Sequence, residues 1–119
     1  MKLEIIKIFE RGIAQKERLS LRVLNETDLS FYVIIDTVYL SENSISSSQK
    51  HAYWFNPKKV KTGDYIVLYT GNGTPSESKN ADGTTNYFLY WGLNNTIWNN
   101  KGDCAVVMEI NTWKTSPFE

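Results

Sequence analysis

Residues 18–24 read RLSLRVL, and this order decides the fold class. Leu19, Leu21 and Val23 alternate with Arg18, Ser20 and Arg22. Successive side chains of an extended chain point to opposite faces, so the stretch reads as a strand with one face on a core and the other in water. Working outward, residues 31–40 (FYVIIDTVYL) are dense in β-branched and aromatic types, which suit a pleated sheet better than a helix. Residues 64–70 (DYIVLYT) follow a Thr62-Gly63 turn, and residues 104–110 (CAVVMEI) follow Lys101-Gly102-Asp103. In that last strand, Glu109 pointing out would send Cys104, Val106, Met108 and Ile110 inward. Weaker strands are expected at 3–9, 51–55 and 86–91, and no window has capped helical periodicity. Short strands separated by turn signals imply one all-β domain over residues 1–119. The expected form is an immunoglobulin-like antiparallel β-sandwich of about six to nine strands.

Two polar stretches read as long loops: 41–50 (SENSISSSQK) and 71–86 (GNGTPSESKNADGTTN). Loops of such length are functional or mobile in compact domains.

The 119-residue chain holds 13 basic and 13 acidic residues, for a formal net charge of zero. A dedicated nucleic-acid binder carries a basic excess, so nucleic-acid binding is expected to be weak at most. The one charge cluster is Lys58, Lys59 and Lys61, read as a solvated loop or as a contact for phosphate or an acidic partner. No apolar run is long enough for a membrane span. The opening MKLEIIKIFERG has Glu4 and Lys7 among its apolar residues and forms no signal-peptide core. With a single cysteine, Cys104, that leans toward the cytoplasm, or toward secretion if a leader has been removed. The triplets at Asn25, Asn72 and Asn94 match the glycosylation pattern, but in an Asn-rich chain they read as chance.

Catalytic chemistry is sparsely supplied. His51 is the only histidine, which excludes a two-histidine metal site, and one cysteine cannot build a thiolate cluster. Cys104 with His51 is the only conventional nucleophile–base pair, but Cys104 opens an apolar strand and reads as a small buried hydrophobe. Gly71-Asn72-Gly73-Thr74 lacks the Lys and helix of a phosphate loop. Residues 80–86 lack the ligand order of a calcium loop. No enzyme activity, cofactor or metal is therefore expected. Aromatics make up 13% of the chain and cluster at 53–55 and 87–91. Because adjacent strand residues face opposite ways, some of each cluster must face outward unless covered. Trp54, Tyr90, Trp91 and Trp113 are the candidate ligand-binding aromatics, with Lys58, Lys59 and Lys61 beside them in candidacy.

The order of these motifs resembles the lamin tail domain, an immunoglobulin-like β-sandwich. Arg18 to Asn25 is similar to its early strand, and Asp28-Leu29-Ser30 to the segment after it, with Phe31 or Tyr32 where that family has tryptophan. Trp54-Phe55-Asn56-Pro57 and Val60-Lys61-Thr62-Gly63-Asp64 resemble its middle elements. Trp98 through Val107 (WNNKGDCAVV) follows its hairpin most closely. Gly63, Asp64, Trp98, Gly102 and Asp103 are the matched structural residues. The two glycines suit turns of positive φ, the two aspartates can cap turn amides, and Trp98 can cover the end of the core. The resemblance implies a non-enzymatic module that binds a protein, or else DNA or an envelope component. A carbohydrate-binding module using exposed aromatics is the alternative.

Overall fold

The computed structural model describes residues 1–48 and 50–118. Its strands are β1 (Leu3–Phe9), β2 (Arg18–Val23), β3 (Thr27–Asp28), β4 (Tyr32–Ser41), β5 (Ser44–Ile45), β6 (Ala52–Trp54), β7 (Lys59–Val60), β8 (Tyr65–Tyr69), β9 (Ser76–Lys79), β10 (Thr85–Tyr90) and β11 (Asp103–Glu109). Three of these are two-residue ladders, which leaves eight longer strands. Among the described residues the one helical element is a 3-10 turn at Leu29–Phe31, capped by Asp28, whose carboxylate accepts from the Ser30 amide at 2.9 Å. The chain is an all-β sandwich, and among the described residues no helix is long and apolar enough to cross a membrane.

One layer is a five-stranded sheet in the order β1-β2-β8-β10-β9. The other has β4 at its centre, paired with β11 on one side and with β6 and β5 on the other. β3 and β7 form a short ladder of their own. Leu19, Leu21 and Val23 are fully buried, and β8 sets Ile66 and Leu68 beside them. Tyr32, Ile34 and Phe55 meet them from the second layer. Burial of such side chains stabilises the fold by about 1.5–3 kcal/mol each.

Three expectations are corrected. The sandwich is not purely antiparallel: β10 runs parallel to β8, with Tyr87 beside Ile66 and Leu89 beside Leu68. After β8 the chain crosses to the sheet edge as β9, turns back, and β10 fills the gap. The crossing segment passes so close over Tyr90 that a Cβ at Gly73 would collide with that ring. Second, the 71–86 stretch is not a loop throughout, since it contains β9 and the start of β10. The 41–50 stretch likewise carries β5, with Gln49 outside the described residues. Third, Cys104 is buried as expected, but the alternation of β11 beyond it is reversed. Pairing with β4 sets Val107 opposite Ile34 and Ala105 opposite Asp36, so Ala105 and Val107 pack on the core while Met108 is exposed. Glu109 shares their face at its rim, where it accepts a hydrogen bond from the Tyr32 hydroxyl at 2.9 Å.

Candidate functional site

β10 and β9 form one end of the five-stranded layer, where β9 is exposed and β10 beyond Thr85 is only half-buried. On its inner face, Tyr87 and Leu89 continue the row begun by Ile66 and Leu68. Tyr53 and Leu29 approach them from the other side, and an open cleft of about 280 Å³ remains between the layers. Pro57 and Pro75 flank it, with Asn56, Lys58 and Glu77 among its polar lining. Burial pushes the Tyr53 phenol up from its usual pKa. The Lys58 ammonium lies 3.7 Å from Glu77 and 5.1 Å from the centre of the Tyr87 ring.

A second hollow of about 400 Å³ shares Tyr87 with the first and is lined by Lys59, Lys61 and Lys79. The two aspartates that also line it are engaged locally. Asp64 is buried and accepts from the Lys61 amide at 2.8 Å and the Thr85 amide at 2.9 Å. Asp82 accepts from the amide and hydroxyl of Thr84, which holds its carboxyl below the usual range. Lys59 and Lys61 have no ion-pair partner among the described residues. The basic run is thus divided: Lys58 lines the apolar cleft, and Lys59 and Lys61 line the polar hollow beside it.

The candidate aromatics fall in separate places. Trp91 is half-buried behind the cleft, in a string of rings: Phe55 to Tyr53 (5.1 Å), Tyr53 to Trp91 (5.6 Å) and Trp91 to Trp98 (6.0 Å). Tyr90 lies on the outer face of the five-stranded sheet, stacked on Tyr69 at 15° with Gly73 against it. Arg18 in turn lies over Tyr69 and Phe9. That row consumes its own ring faces and offers no flat platform. Trp54 and Trp113 lie on the outer face of the other layer, both about half exposed or more. Their rings meet at 83°, so they do not form a coplanar surface.

The matched structural residues behave as follows. Gly63 has φ +89° and Asp64 caps its turn. Trp98 is fully buried and its indole N–H donates to the Cys104 carbonyl at 3.1 Å. Asp103 accepts from the Asn100 amide at 2.9 Å. Gly102 is the correction: it is not among the residues of positive φ, and a Cβ there would meet nothing within 4 Å. Asp103, rather than the glycine, organises that turn.

His51 and Cys104 have different surroundings. The His51 ring nitrogen Nδ1 lies 3.2 Å from the buried Asp36 carboxylate, and no hydroxyl or thiol bonds to the ring among the described residues. Cys104 is buried opposite Thr37, and burial pushes its thiol pKa up. A thiol so shifted holds little thiolate near neutral pH. Among the described residues no group of three His, Cys, Asp or Glu is placed to hold a metal ion.

Sequence reasoning named Lys58, Lys59 and Lys61 but missed Tyr53, Tyr87, Leu89 and Lys79. The strand alternation at 86–91 does place Tyr87 and Leu89 on one face; that this face is only partly covered depends on the second layer. Comparison with models of known protein families and with curated proteins finds no match.

Proposed function

We propose that this chain is a non-enzymatic interaction module of the lamin-tail-like class, working in the cytoplasm and binding a protein partner through the cleft at Tyr53, Tyr87 and Leu89. The observation that carries this reading is the open cleft beside β10 and β9, which leaves apolar surface of Tyr53, Tyr87 and Leu89 open to solvent with lysines at its margin. An apolar hollow with a few polar groups around it suits an inserted side chain. The motif resemblance supports the same class through Gly63, Asp64, Trp98 and Asp103, whose roles are structural. A second reading, carbohydrate binding, is favoured by the exposed indoles of Trp54 and Trp113. Isotope-labelled protein titrated with short peptides bearing Phe or Leu, and separately with soluble oligosaccharides, tests both. Saturable shifts at Tyr53, Tyr87 and Leu89 with the peptides are expected. Shifts confined to the Trp54 and Trp113 indoles with oligosaccharide would transfer the function to the carbohydrate reading.

A further inference from the structure

The partner's chemistry follows from the strand beside the cleft. β9 is the outer strand of its sheet, bonded among the described residues to β10 alone. At the end of that hairpin the Asn80 amide donates to the Thr84 carbonyl at 2.8 Å. Bonded and non-bonded positions alternate along an antiparallel pair. Ser78–Asn86 and Ser76–Phe88 therefore take the bonded positions, and Glu77 and Lys79 direct their backbone N–H and C=O groups to the open edge. Their side chains share the inner face: Glu77 lines the apolar hollow, and Lys79 lines the basic one, where its ammonium donates to Thr85.

We propose that β9 takes up an extended peptide as an added strand, with a large apolar side chain in the hollow beside Glu77 and an acidic residue two positions away at Lys61 and Lys79. This rests on the interaction-module reading and specifies its partner. The spacing follows from the pleat: residues two apart on the added strand face inward together, whereas adjacent ones do not. The sign follows from charge. Lys59, Lys61 and Lys79 line the second hollow, while its two aspartates are bonded to backbone amides. At the apolar hollow, Glu77 disfavours a second acidic residue and already faces Lys58. Main-chain pairing supplies affinity, and the alternate side chains supply selection.

The test is fluorescence anisotropy of a tagged, threonine-rich heptapeptide with one Phe and one Asp two residues apart, titrated with the full chain near physiological salt. Phe→Ala in the peptide should weaken binding about tenfold or more. Moving Phe and Asp to adjacent positions, or replacing Asp by Lys, should weaken it about fivefold. The double variant Lys61→Glu with Lys79→Glu should reverse the preference, so that the Lys peptide binds better. Phe-dependent binding that ignores the spacing and the charge would overturn this inference and leave the interaction module standing. Absence of any Phe-dependent binding would overturn both. Displacement of the peptide by oligothymidine would overturn it in favour of a nucleic-acid site.

Discussion

At Trp98 the space between the layers is sealed, whereas at Tyr53 it is open, and the two places are joined by Trp91. Beside Trp98, Glu17 is fully buried, and its carboxylate accepts from the Gly12, Ile97 and Trp98 amides and the Thr70 hydroxyl at 2.8–3.2 Å. One side chain thereby ties together the turn after β1, the end of β8 and the segment before β11. A buried carboxylate is costly unless such donors surround it, and here three of the four are backbone amides. At Tyr53 the charged groups stay in solvent and no carboxylate closes the layers. The contrast teaches that this sandwich closes one part of its core with a satisfied polar network and leaves apolar surface free at another.

The strongest way to break the comparison is Glu17→Ala. With four donors left unpaired, the loss of stability should be about 4 kcal/mol or more, read by urea denaturation. A loss under about 1 kcal/mol would show that the network does not seal the core. A smaller effect separates the two glycine turns. Gly63→Ala forces a side chain into φ +89° and within 3.0 Å of Thr84 at the margin of the basic hollow. It should cost about 1–2 kcal/mol. Gly102→Ala, near the sealed region, should change stability by less than about 0.5 kcal/mol. Equal effects would mean that the two turns have been wrongly distinguished. The smallest effect sharpens the contrast: Lys59→Ser with Lys61→Ser should leave the unfolding free energy within about 0.5 kcal/mol, because both side chains are exposed and have no ion-pair partner among the described residues. A marked loss would make the two lysines part of the scaffold rather than a binding surface.

Sequence alone determined what local periodicity can express. The alternation of Leu19, Leu21 and Val23, the run through Tyr32 and Ile34, and the turn before Tyr65 placed the main strands and much of the core. The burial of Trp98 and Cys104 and the caps at Asp64 and Asp103 were legible for the same reason: each is tied to a turn or strand only a few residues away. The tertiary structure alone decided the parallel seating of β10, the inward phase of Val107 and the ordinary backbone of Gly102. It also decided the cleft, since Tyr53 and Tyr87 come from different layers and line one hollow only once the layers are packed. Glu17 lies between Lys16 and Arg18 in a polar stretch, and nothing local marks it as buried; its donors come from distant segments. A side-chain period reports which residues share a face. Which face is covered, by what and how far, is set by hydrogen-bonded pairing between segments remote in the chain.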